Sequence, residues 1–306
     1  MNIIELKTDT EVYDYLDALD KRDRKIIAVD VEAECNLHCY GEHLCLIQIF
    51  DLENEIIIDP FKFKNGEAIK RLFEKRDLLK IMYDSLSDAA LLDTAYGIKL
   101  QSVLDLRPAV ALLEYPKQSL AHVLTDELGN APVNKKKFQQ YNWMRRPLDK
   151  DAVEYAVGDV RYLFRLKDVL FDKLKNNGLL DTYILQNLML QDGKNNKVKL
   201  AKYEKAKGYN RLDKNRQKMF KEIFILRDSF AKKLNKPPDY VFSNVKLLEL
   251  CRNNIQDPAF VEQGINPRIK PSIQGEILGR FTEIVQCRLG TSDNSSHKEH
   301  SGDTYD

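Results

Sequence analysis

The chain has one tryptophan, five cysteines and a formal net charge of only +1 over 306 residues. The cysteines are odd in number and irregularly spaced. That argues against a disulfide framework and favours a reducing, cytoplasmic setting. No stretch approaches the roughly 18 apolar residues of a membrane span, so no membrane partner is expected. The start, MNIIELKTDTEVYDYL, lacks a basic segment leading into an apolar run, and no secretory signal is expected from it. There is no G-x-x-x-x-G-K-[ST] phosphate loop, so the chain carries no nucleotide-driven motor of that type. Internal repeats are absent as well.

What is present is a segregation of charge that the net value conceals. Residues 1–159 carry about −8, residues 160–290 about +12 and the last sixteen about −3. An acidic half can hold cations and a basic half can hold a polyanion. Single lysine-rich helices are usually just solvated, but segregation across a whole chain points to nucleic acid.

Residues 26–31, 44–51 and 55–59 are β-branched and apolar with short polar connections, which predicts three strands in an antiparallel meander. A helix near 66–76 and a fourth strand at 79–83 follow. Helical patterns then occupy about 86–96, 107–114, 119–129 and 149–176, the last preceded by Pro147 with acidic residues at its start. The pattern predicts an α/β domain with a mixed sheet over residues 1–192. A polar, lysine-rich linker is expected at 193–210, a small all-α domain at 211–290 and a disordered tail at 291–306.

Carboxylates inside apolar stretches carry the chemistry. Asp30 and Glu32 lie two apart on a predicted strand (IIAVDVE), so both side chains take one face. Asp88 begins a helix just after a strand, at the end where α/β sites gather. Tyr155 and Asp159 lie four apart on a predicted helix and share its face. An ionised carboxylate in apolar surroundings is costly unless it binds a cation. Hard oxygen ligands suit Mg²⁺ or Mn²⁺, and paired ions of this kind drive phosphoryl displacement. Each pair alone is weak, since D-x-E and Y-x-x-x-D recur by chance; their order and placement together are specific.

In this order the motifs resemble the ribonuclease D-type 3′→5′ exonucleases of the DEDD superfamily, tyrosine subclass. IIAVDVEAECNLHCYGEHLCLIQ resembles the first motif and KIMYDSLSDAALL the second. SLAHVLTDELG, KKFQQYNWMRRPL and AVEYAVGDVRYLFRL resemble the third region. RLDKNRQKMFKEIFILRDSFAKKLNKPPDYVFSNVKLLELC resembles a helical HRDC domain. The resemblance implies a ribonuclease H-like mixed sheet with flanking helices, followed by the HRDC-like helices. It also implies hydrolysis of RNA from a free 3′ hydroxyl, with tRNA precursors as a first guess. By the same resemblance Asp30, Glu32, Asp88 and Asp159 hold two divalent ions, Mg²⁺ or Mn²⁺, and Tyr155 positions the attacking water. Val31, Ala33 and Tyr83 stand where the family often has threonine, an aromatic and histidine. Only one HRDC-like segment fits before the tail. A DNA exonuclease of the same superfamily and a catalytically silent RNA-binding module are the alternatives; the complete carboxylate set argues against the second.

Other residues carry weaker expectations. Lys136, Gln139, Trp143 and Arg145 could meet RNA, by phosphate contact or base stacking. Lys214, Lys218 and Lys221 could touch phosphate from the second domain. Against this, Trp143 suits a core anchor and the lysines a solvated face. Cys35, His38, Cys39 and His43 offer four soft ligands in nine residues, yet match no common zinc spacing.

Overall fold

The computed structural model describes residues 3–130, 135–191 and 201–290. Contacts divide the chain into two units, one of residues 1–35 and 42–197, the other of residues 36–41 and 198–306.

The first unit opens with β1 (Ile3–Leu6), α1 (Asp9–Lys21), β2 (Ile26–Cys35), β3 (Glu42–Phe50), β4 (Glu55–Ile58), α2 (Glu67–Glu74), β5 (Leu79–Met82), α3 (Leu86–Tyr96) and β6 (Val103–Asp105). It continues with α4 (Arg107–Leu112), α5 (Leu120–Leu128), α6 (Lys135–Gln139), α7 (Lys150–Arg161), α8 (Leu163–Asn176) and α9 (Leu180–Gln191). The six strands form one sheet in the order β1-β4-β3-β2-β5-β6. β2, β3 and β4 make the expected antiparallel meander. β5 and β6 extend it in parallel beyond β2, and β1 runs parallel to β4 at the other edge. The sheet is therefore mixed, as the sequence predicts.

Alternation along the strands sorts the two faces. Ile27, Val29 and Val31 of β2, with Ile47 and Ile49 of β3, face an aliphatic layer completed by α1, α2 and α3. On the opposite face Leu46 and Ile57 meet Ala152, Ala156 and Val157 of α7. Ala28, Phe50 and Ile81 meet Val160, Leu163, Phe164 and Leu166 beside them. Burying each Ile or Leu contributes about 2 kcal/mol. A one-residue slip of β2 would turn Asp30 and Glu32 into the aliphatic layer, so packing fixes which face they occupy.

The expected helix over 149–176 is two helices. The break falls at Tyr162 (φ −103°, ψ −3°), whose amide donates to the carbonyl of Val160. The two halves bury different faces: α7 lies against β2, β3 and β4, whereas α8 contacts α4, α5, α9 and β5. The sequence carries no proline or glycine at that point to reveal the break. The strands β1 and β6 and the helices α1, α6 and α9 lie outside the elements that the sequence pattern predicts. For α1 the signal is present: Thr8 and Glu11 form a reciprocal capping box.

Among its described residues the second unit is helical: α10 (Lys214–Leu234), α11 (Pro238–Val241), α12 (Asn244–Arg252), α13 (Pro258–Gly264) and α14 (Pro271–Gly290). Phe220, Ile223, Phe242, Leu247, Ile277 and Phe281 are fully buried in its core. Arg227 is 1% exposed, donates from Nη1 to the Phe242 carbonyl (3.0 Å) and Asn244 Oδ1 (2.8 Å), and lies over the Phe224 ring. The stretch expected as linker is shorter than composition suggests. Tyr209 is buried in this core and Tyr203 packs against it, so 201–210 belongs to the helical unit. Polar composition misled here because two tyrosines are enough to anchor a lysine-rich segment. Residues 193–200 and the tail at 291–306 lie outside the described residues.

Candidate active site

β2 delivers the first two carboxylates. Asp30 pairs across the ladder with Gln48 and Glu32 with Leu46, which puts both acids on the face covered by α7. Just beyond, the register shifts: Glu32 opposes Leu46 but Ala33 opposes Leu44. Cys45 is thus the extra residue of a β-bulge. Its carbonyl accepts a hydrogen bond from Arg146 Nη2 at 2.6 Å.

α7 supplies Tyr155 and Asp159. The small residues Ala152 and Ala156 are fully buried between this helix and the sheet and let the backbone approach closely. Arg161, at the end of α7, pairs with the buried Glu55 of β4 and with Glu154, fixing the helix against the meander. The Tyr155 ring stacks on buried Phe138 with centroids 4.7 Å apart. As a result Asp30, Glu32 and Asp159 each offer a carboxylate oxygen within 4.8 Å of the others. Among the described residues this is the one group of three or more potential metal ligands so close together.

Asp88 stands in the first turn of α3. It is not within that tight trio, yet its charge acts on both Asp30 and Glu32. Its placement depends on Asp105, a buried residue that sequence reasoning passed over. Asp105 Oδ1 accepts from the amides of Asp84 and Arg107 (both 2.9 Å), and Oδ2 from the amide and hydroxyl of Ser85. Asp84 has positive φ (63°), so the turn between β5 and α3 needs this support. The short apolar run VLD was the available signal: a carboxylate closing a strand beside another strand end.

Burial and mutual repulsion dominate the electrostatics of the site acids. Burial first, then the charges of Asp88, Asp159 and Glu32, push the Asp30 carboxyl well above its ordinary range. Burial and then Asp159 and Asp88 do the same to Glu32. Asp88 is raised to about 7 by burial, then by Asp105 and Asp84. Tyr155 is pushed upward by burial and by Asp159, Glu32 and Asp30, and it hydrogen-bonds Asp159. A divalent cation would reverse the sign of this repulsion. All donors are carboxylate oxygens, which fits Mg²⁺ or Mn²⁺ and not a thiolate-bound metal.

The other sequence expectations are placed as follows. Trp143 is buried (4% exposed) and edge-on to Tyr141, so it anchors a core and is not free to stack a base. A lone tryptophan beside arginines reads the same way in sequence whether buried or exposed. Arg145 is exposed and near Asp149 at 3.7 Å, and Gln139 is exposed. The Lys136 side chain lies outside what is described. Arg146 is a structural clamp: it donates twice to Asp59, at 2.7 and 2.9 Å, and covers the Phe61 ring. Lys214, Lys218 and Lys221 are exposed at spacings of four and three, on one face of α10. Cys35 and His43 fall in the first unit, and His38 and Cys39 in the second.

Comparison with known proteins gives a consistent picture. A family model described as 3′-5′ exonuclease matches residues 3–178. The chain is similar to a ribonuclease D of Desulfotalea psychrophila, 29% identical over 217 residues that make up 69% of this chain and 57% of that protein. It therefore spans less than two thirds of that relative's length. Its fold is like the crystal structure of the catalytic core of RRP6 from Trypanosoma brucei: TM-score 0.75, 21% identity, covering 95% of this chain and 80% of that one. It is also like Escherichia coli RNase D, described as an exoribonuclease involved in structured RNA processing: TM-score 0.71, 19% identity, covering 96% and 77%.

Proposed function

Since the chain belongs to the 3′-5′ exonuclease family, we propose that it hydrolyses RNA from a free 3′ hydroxyl, one nucleotide at a time. The observation that carries the chemistry is the convergence of Asp30, Glu32 and Asp159 within 4.8 Å, with Asp88 acting on them electrostatically. These four acids would hold two divalent cations, which would supply water activation and stabilise the departing 3′ oxygen. Tyr155 does its part as a neutral phenol. Its pKa lies above the ordinary phenol value, so at neutral pH it keeps its proton and orients the attacking water without acting as its base. Similarity to ribonuclease D and to the exosome nuclease RRP6 supports RNA over DNA. The basic surface of the second unit supports a long or structured polyanion, and tRNA precursors are the substrate to try first. We also propose that this unit is the HRDC-like module and binds substrate phosphates.

The test uses 5′-labelled RNA and DNA of matched sequence, with and without Mg²⁺ or Mn²⁺. A ladder that shortens from the 3′ end, on RNA and only with metal, is the expected result. A 3′ phosphate should block it, because a more negative terminus would sit against Asp30, Glu32 and Asp88. Equal cleavage of circular RNA would replace the proposal with an endonuclease, and preference for DNA with a proofreading-type enzyme.

A further inference from the structure

The sheet face that carries Asp30 also carries an amide with no visible purpose. Gln48 is 0% exposed, in the middle of β3, and among the described residues neither its Nε2 nor its Oε1 has a hydrogen-bond partner. The other buried carboxamide, Asn187, contrasts with it. That side chain accepts from the Asp105 amide at 2.7 Å and donates to the carbonyls of Asp105 and Tyr183. An amide buried without partners lowers stability relative to an apolar side chain of the same shape. Packing alone therefore does not explain a glutamine at this position, since its sheet neighbours Leu46 and Ile57 are apolar and buried.

Its register supplies the explanation. Gln48 lies directly opposite Asp30 in the antiparallel ladder. Side chains so paired share one face, with β-carbons about 5 Å apart. The terminal torsions of a carboxylate and an amide are broad and low in energy, so the two end groups can reorient toward one another at little cost. We propose that Gln48 is a positioning residue for the cation site. When Asp30 holds a cation through one oxygen, Gln48 Nε2–H donates to the other, fixing which lone pair faces the metal. Groups that orient metal ligands in this way typically set affinity by 10–100-fold. This inference rests on the cation-binding reading of the four acids.

The experiment separates a positioning role from a structural one by the sign of two measurements. Gln48→Met removes both polar atoms at nearly constant volume, and Gln48→Leu does so with a different shape should methionine fail to fold. Thermal unfolding of the chelator-treated protein and Mn²⁺ titration by calorimetry are compared with wild type, together with kcat and KM on single-stranded RNA. The expected result is an unfolding temperature equal to or above wild type, Mn²⁺ binding weakened about tenfold, and a lower kcat with KM little changed. Mn²⁺ affinity equal to wild type overturns the proposal, whatever the unfolding temperature. If wild type itself binds no Mn²⁺, the cation reading falls and this proposal with it, an outcome distinct from the first.

Discussion

Asp105 at the end of β6 holds Ser85 at the start of α3 through both the amide (2.8 Å) and the hydroxyl (2.9 Å). Two parallel strand ends are thereby tied together, and Asp88 is set one turn into the helix that leaves the tie. Asp105→Ala would strand the amides of Asp84, Ser85 and Arg107 and the Ser85 hydroxyl. It should destabilise the protein by about 3 kcal/mol. Asp105→Asn keeps an acceptor and should cost less, while still lowering the nuclease rate by moving Asp88. Denaturant titration of both variants checks the order; equal stability of the alanine variant and wild type would contradict it.

Asp30→Asn and Asp159→Asn should each bring hydrolysis to background and leave the fold intact. Each removes one negative ligand from a trio whose oxygens lie within 4.8 Å, without changing its volume. Circular dichroism and the RNA ladder assay, run on the same preparations, read the two halves of the claim. Turnover within a few-fold of wild type in a folded variant would remove these residues from the metal site.

Tyr155→Phe keeps the stack on Phe138 and loses only the hydroxyl. The rate should fall by about 10²-fold, as for one positioned catalytic group, with little change in RNA affinity. A raised KM at constant kcat would make Tyr155 a binding residue instead.

The acids also predict how the metal-free protein responds to pH. In the folded state burial, then the charges of Asp105 and Asp84, push Asp88 up to about 7, and Asp30 and Glu32 are raised as well, whereas an unfolded Asp titrates at about 3.9. The folded state therefore binds more protons between about pH 4 and 7. The stabilising contribution is complete below the unfolded value and is lost as pH rises through the folded one. With chelator present, wild type should gain unfolding temperature relative to Asp30→Asn as pH falls from 8 to 5.5. At pH 8, Mn²⁺ should restore what the repulsion takes away. A constant difference between the two proteins across that range would argue against buried, raised carboxyls.

Replacing Lys214, Lys218 and Lys221 together with alanine should weaken binding of a structured RNA. It should also flatten the dependence of log Kd on log salt, because fewer counterions are released. Cleavage of short unstructured RNA should persist. Parallel slopes for the two proteins would mean that this face of α10 meets solvent and not phosphate.

The sequence made the meander, β5 and the site carboxylates legible because each depends on local periodicity. Asp30 and Glu32 needed only a strand's alternation, and Tyr155 and Asp159 only a helix's. The break at Tyr162 was not legible, because it is set by which neighbours the two helix halves cover. Burial of Trp143 and the clamp from Arg146 to Asp59 were hidden for the same reason: 87 residues of sequence separate the partners of that ion pair. Asp105 and Gln48 look ordinary in a string of letters. What distinguishes them is the number of hydrogen bonds on the side chain among the described residues, four for Asp105 and none for Gln48.

The bulge at Cys45 has a consequence for how this segment can vary. Its carbonyl accepts from Arg146 at the point where β3 carries one residue more than β2, between Leu44 and Leu46. The side chain at 45 is buried, with Sγ 3.3 Å from the His43 carbonyl and 3.6 Å from Met144 Sδ, so it accepts only a residue of similar size. Deleting the residue is a different matter. A regular ladder would then run through, and everything from Glu42 to Leu44 would swap faces relative to Asp30 and Glu32. At this point the site is specified by chain length, and a change that leaves every named functional residue in place would still undo it.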